Sequence, residues 1–198
     1  MSALPHAVSR AKGPSDEDDG AVSRHAHHAA VRRLVETYFG DVWRFLRHLG
    51  VPERWVDDAV QDVFVVAARR FDRIQPGSER SYLFATAFKV AQAARRKFVR
   101  EAPLDDDSVV EARVDTSPTP EQELDDKQAR ELALRLLDEL DEGQRQVFVL
   151  FEIEGLTMQQ VADLTELPVG TVASRLRRAR EEFQTRFERH RNSLRGGR

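Results

Sequence analysis

Residues Thr157 to Arg180 read TMQQVADLTELPVGTVASRLRRAR, and this stretch decides the fold. Thr157 and Gln160 have the spacing of a capping box, in which each side chain satisfies the other residue's backbone N–H at a helix start. The short helix that follows carries Val161, Ala162 and Leu164 on one side. A turn is expected from Thr165 to Pro168, and a long helix from about Val169 with Val172, Leu176, Ala179 and Phe183 on its inner stripe. Two helices joined by a tight turn form a helix-turn-helix, whose second helix can enter the DNA major groove if its outer face is polar. Here Ala162 is small enough to let the helices approach, and Leu164 and Leu167 can fill the angle between them. The outer face offers Thr171, Ser174, Arg175, Arg177 and Arg178. Arg can bond guanine edges in bidentate fashion, and hydroxyls near a helix start suit phosphates.

An Arg-rich helix face can also be merely solvated, so the charge map matters. The 198 residues carry a net charge of −3, which looks wrong for a nucleic-acid binder. The total hides three zones. From Lys89 to Arg100 there are five cations and no acid; from Glu101 to Asp126 ten acids stand against Arg113 alone; from Arg175 to Arg198 nine Arg face three Glu. Two basic zones flanking an acidic one say more about partners than their sum.

Upstream of the helix-turn-helix the chain again reads as helix. Thr119-Pro120-Glu121-Gln122 is a helix start with Thr119 as N-cap, leading into Leu124, Ala129, Leu132, Leu136, Leu137 and Leu140. Asp141 to Gln144 repeats the box before Val147, Phe148, Phe151 and Ile153, and Gly155 is the expected stop. Between Arg100 and Thr119 periodicity vanishes, and Pro103, Pro118 and the acids predict an extended linker that self-repels. Its average span would be roughly 25 Å, and its stretched reach about 60 Å.

The N-terminal half predicts a three-helix domain. Val31, Leu34, Val35, Tyr38, Val42, Phe45, Leu46 and Leu49 form one helical stripe that Gly50 ends. Pro52 opens a second helix with Val56, Ala59, Val60, Val63, Phe64, Ala67 and Phe71. Pro76-Gly77 breaks the pattern, and Ser78 can cap a third helix through Tyr82, Leu83, Ala87, Val90 and Ala94 to the basic cluster. Residues 1–27 hold little that could bury and read as a disordered tail; His25, His27 and His28 lack partners at ligand spacing, so no metal site is expected.

The organisation expected is therefore all-α, with two small helical domains joined by a flexible acidic linker: a tail (1–27), a helical domain (28–100), the linker (101–118), a helix-turn-helix domain (119–190) and a basic tail (191–198). A mean hydropathy of −0.55, the lack of any apolar run near 18 to 20 residues and the absence of a signal peptide predict a cytoplasmic protein without membrane insertion. The chain has no Cys, which excludes disulfides and thiolate zinc sites. No nucleophile set, metal cluster or phosphate-binding Gly loop points to an enzyme, so no catalytic residue and no cofactor is expected.

The segment GLTMQQVADLTELPVGTVASRLRRARE, residues 155–181, resembles the fourth conserved region of bacterial RNA polymerase sigma factors, above all the extracytoplasmic-function (ECF, group 4) subfamily. The resemblance implies that this helix-turn-helix binds the minus-thirty-five promoter element. Asp57-Asp58-Ala59-Val60-Gln61-Asp62-Val63-Phe64 is similar to the family's second region. That similarity implies that Asp58, Gln61 and Asp62, at i, i+3 and i+4 on one helix face, dock on a coiled coil of the polymerase β′ subunit. The third helix then corresponds to the part that reads and melts the minus-ten element. A pocket would lie in the loop from Asp72 to Ser81, with Tyr82, Phe84 and Phe88 as candidate aromatics for unstacked bases and Lys89, Arg95, Arg96 and Lys97 as phosphate contacts. Tyr82 also sits on the apolar stripe, where a core role competes. The chain departs from the family pattern at Ala173 (usually Lys), Tyr82 (Trp), Lys89 (Asn) and Ala93 (Asp). The resemblance also implies core RNA polymerase (β and β′ subunits), promoter DNA and an anti-sigma factor as partners. Two other functions fit the residues: a stand-alone helix-turn-helix regulator, and a sigma-like protein that docks on polymerase without melting DNA.

Overall fold

The computed structural model describes residues 16–101 and 120–196, and every regular element in them is helical. The order is α1 (Asp16–His48), α2 (Glu53–Arg69), a 3₁₀ turn (Phe71–Arg73), α3 (Glu79–Glu101), α4 (Pro120–Asp138), α5 (Glu142–Phe148) running into a π turn (Val149–Ile153), α6 (Met158–Thr165) and α7 (Val169–Gly196). The backbone groups into two units, one up to Tyr38 and one from Phe39 onward. Helix α1 starts at Asp16, inside the stretch expected as tail. Residues 1–15 and the linker positions 102–118 lie outside the described residues, as does Thr119, the expected N-cap of α4.

In the unit from Phe39 onward, the first group of helices buries Val42, Phe45, Leu46, Leu49, all six predicted residues of α2 from Val56 to Ala67, and Leu83, Phe84, Ala87, Phe88 and Ala91 of α3. Phe45 and Phe84 stack with ring centres 4.7 Å apart. Gly50, at φ 90°, ends α1 in the left-handed region as expected of a helix-terminating glycine.

The second group packs α5 and α6 against α7. The capping box at Thr157 is complete: the hydroxyl accepts from the Gln160 N–H at 3.3 Å, and the Thr157 N–H donates to Gln160 Oε1 at 2.9 Å. The box expected at Asp141 is only half present. Asp141 accepts from the Gly143 N–H at 2.9 Å, whereas the Gln144 amide reaches across to Glu182 at 3.2 Å. Downstream the apolar phase also differs from expectation. The π turn inserts extra backbone per turn, so Val149 and Leu150 face inward while Ile153 is left 43% exposed.

Candidate nucleic-acid and polymerase interfaces

Helix α6 and helix α7 meet through a three-residue turn. Glu166 adopts the left-handed conformation at φ 57°, uncommon for a residue with a side chain, and the Leu167 N–H returns to the Ala162 carbonyl at 3.1 Å. Pro168 then opens α7, its carbonyl accepting from the Thr171 and Val172 N–H groups at 2.8 and 3.1 Å. Val172, Leu176 and Ala179 are buried with Val161 and Ala162, which locks the rotation of α7 about its own axis. That lock decides what the other side presents.

Thr171, Ser174, Arg175 and Arg178 fall at i, i+3, i+4 and i+7 on one face. Ser174 is exposed and its hydroxyl donates to the Thr171 carbonyl at 2.9 Å; Arg178 is exposed and, among the described residues, has no ion-pair partner. Arg175 is half-buried and lies flat over Gly143, where an added Cβ would stand 2.7 Å from its Nη1. Arg177 stands off this face and is engaged by Glu181 at 2.7 Å. Arg178, exposed at the C-terminal end of this hydroxyl-bearing face, suits a groove contact, while Arg175 must leave Gly143 to make one.

Asp58, Gln61 and Asp62 are all exposed on α2, opposite its buried stripe. Val65 completes their i+7 position and is 39% exposed, so the face combines acids with an apolar contact. Sequence inspection passed over Val65 because it stands beside Val63 and Phe64 in one apolar run; the signal was that it alone of the three falls off the buried stripe. Neighbouring Asp57 is engaged by the Trp43 indole N–H at 3.0 Å.

On α3 the structure corrects the candidate melting residues. Phe88 is 1% exposed and Phe84 7%, so both are core and neither can receive an extruded base. The reason is rotational: burial of Leu83, Phe84, Ala87, Phe88 and Ala91 turns the apolar stripe one residue past Tyr82, which is half-buried at its edge. Lys89 and Arg96 are exposed, and the Arg96 Nε–H donates to the Gln92 carbonyl at 3.2 Å. Arg95 is half-buried, bonding the Leu49 carbonyl at 2.9 Å and pairing with Glu142 at 3.4 Å. Lys97 lies on the same helix, but its side chain is outside the described residues.

Arg80, in the first turn of α3, was missed by sequence inspection. Its guanidinium lies 4.2 Å from the centre of the Phe84 ring and pairs with Glu154 at 2.8 Å. Burial nevertheless raises the Glu154 carboxyl above its ordinary range, outweighing the attraction of Arg80. Among the described residues no helix is long and apolar enough to cross a membrane.

The family described as Sigma-70, region 4 matches residues 130–183, which span the helix-turn-helix. The ECF RNA polymerase sigma-E factor of Escherichia coli strain K12 is 30% identical over 146 residues, covering 70% of this chain and 76% of that protein. RNA polymerase sigma factor CnrH of Cupriavidus metallidurans is 30% identical over 179 residues, 86% of this chain and 94% of its own length. The solved structure of CnrH in complex with the cytosolic domain of CnrY aligns over 81% of this chain and 89% of CnrH, with 26% identity and a TM-score of 0.53. This chain belongs to the ECF family of RNA polymerase sigma factors, which direct promoter-specific transcription initiation.

Proposed function

We propose a division of labour for this sigma factor along the chain. The exposed face of Asp58, Gln61, Asp62 and Val65 docks on core RNA polymerase. The face of α7 with Thr171, Ser174, Arg175 and Arg178 reads the upstream promoter element, with Arg177 on its flank near the phosphates. Lys89, Arg95 and Arg96, with Lys97, hold the strand at the downstream element, and Tyr82 is the aromatic nearest to an unstacked base. Residues 28–100 and 119–190 are the two working domains, and the acidic stretch 101–118 spans between them. The protein acts in the cytoplasm and without catalysis of its own: polymerase makes the RNA, and this subunit selects the start. An anti-sigma factor is the regulator that the family resemblance implies; the similar CnrH was solved in complex with another chain, the cytosolic domain of CnrY.

The observation that carries this proposal is the locked rotation of α7. Burial of Val172, Leu176 and Ala179 turns Ser174 and Arg178 outward together. A stand-alone regulator would need no acidic face on α2, and tight duplex binding by the purified chain without polymerase would support that alternative instead. The test is run-off transcription with core polymerase on fragmented genomic DNA. Arg178→Ala should weaken upstream-element recognition about tenfold or more while core binding holds. Asp58→Ala with Asp62→Ala should do the reverse. Absence of any initiated transcript with the parent chain would overturn the proposal.

A further inference from the structure

At the start of α7, Val169, Gly170, Ala173 and Ser174 are exposed, whereas Val172 is buried and Thr171 half-buried. Val169 is 41% exposed, although it stands between the proline-closed turn and the locked inner face of the helix. A Cβ added at Gly170 would meet no atom within 4 Å, so the space beside Val169 is open. Val169 and Ala173 stand at i and i+4, one above the other, on a line that Arg177 ends at i+8.

The polar groups next to this line are already engaged within the helix. The Ser174 hydroxyl donates its hydrogen to the Thr171 carbonyl at 2.9 Å, and the Arg177 guanidinium is paired with Glu181 at 2.7 Å. What this edge of the helix tip offers a groove is hydrocarbon: an isopropyl group and, one turn on, a methyl group.

In a helix-turn-helix the N-terminal residues of the second helix meet the base edges. Guanine, cytosine and adenine present only hydrogen-bonding groups in the major groove, and thymine alone adds a C5 methyl. Hydrocarbon set against a donor or acceptor strips it of water and returns no hydrogen bond. Set against the thymine methyl, it removes apolar surface from water, which favours binding by roughly fourfold for one methyl group.

We propose that Val169 and Ala173 are specificity-determining residues that select thymine in the upstream promoter element through its C5 methyl group. The proposal rests on the assignment of α7 under Proposed function. Four residues of helix advance about 6 Å, and one base step about 3.4 Å, so the two side chains meet methyl groups one or two steps apart. Arg178 lies about 7.5 Å beyond Ala173 along the axis and is left for a guanine on a different base pair.

The test uses the full chain bound to core polymerase and a labelled promoter duplex whose upstream element is taken from the run-off transcripts. Each thymidine of the element is replaced in turn by deoxyuridine, which lacks only the C5 methyl and keeps every hydrogen-bonding group. Competition against the unmodified duplex should show a loss of about fourfold at two thymidines. Val169→Ala should shrink the loss at one of them to less than about twofold, and Ala173→Gly should do so at the other. The ratio of thymidine to deoxyuridine binding is taken within each variant, so any change in helix stability cancels. Binding indifferent to deoxyuridine at every position, or a methyl effect of full size in both variants, would overturn the proposal. If Arg178→Ala still weakens recognition of the element in that case, the assignment of α7 stands without the methyl contacts. If neither Arg178→Ala nor scrambling of the whole element changes binding, the assignment falls and the methyl contacts fall with it.

Discussion

Protonation of His48 should destabilise the folded chain, and the size follows from its surroundings. The imidazole ends α1, and its Nδ1 is buried without a hydrogen-bond partner among the described residues. Burial first, and then the guanidinium charges of Arg145, Arg44 and Arg47, push its pKa down from 6.5 to about 4. The unfolded chain therefore takes up a proton at a pH where the folded chain does not. Stability from this group is complete above the unfolded value and is lost as pH falls from about 6.5 toward 4. Linkage over that gap gives a loss of about 2 kcal/mol between pH 7.5 and pH 5. Carboxylates titrate over part of the same range, so the assay is a difference. Urea unfolding of the parent and of His48→Gln, which cannot titrate, is followed at both pH values. The parent should lose about 2 kcal/mol more than the variant. Equal losses in the two proteins, or a His48 resonance that titrates near its ordinary value in NMR, would refute the reasoning.

Other outcomes follow from single contacts. Thr157→Ala removes the hydroxyl that caps α6 and should lower stability by about 1 kcal/mol in urea melts, with no change in the polymerase affinity of the α2 face. Val65→Ser should leave unfolding midpoints within about 0.5 kcal/mol of the parent while weakening core polymerase binding in a fluorescence titration, because the side chain is already partly solvated. Gly143→Ala places a methyl 2.7 Å from Arg175 Nη1. The flexible guanidinium should swing aside, seen as a shift of the Arg175 Nε–H resonance, while stability changes by less than about 1 kcal/mol.

Much of this architecture was legible before any coordinates because it is set by local chemistry. The helix-turn-helix could be read at Thr157 to Arg180, since a capping box, a proline-closed turn and a 3.6-residue apolar stripe each act over a few residues. The inner faces of α2 and α7 were read correctly for the same reason, and with them the outward set of Asp58, Gln61, Asp62, Ser174 and Arg178. Tertiary packing decided what local spacing left open. Whether Tyr82 or Phe84 and Phe88 face the core depends on how α3 rotates against Phe45, a contact made across 39 residues of chain. The π turn after Phe148 shifted the apolar phase so that Val149 and Leu150 turned inward and Ile153 outward, although the sequence offers no break there. Nothing in the local sequence sets Arg145 apart from the other cations of the chain. Its burial against the carbonyls of Arg47 and His48 joins residues nearly a hundred positions apart, and only the folded chain brings such partners within hydrogen-bonding distance.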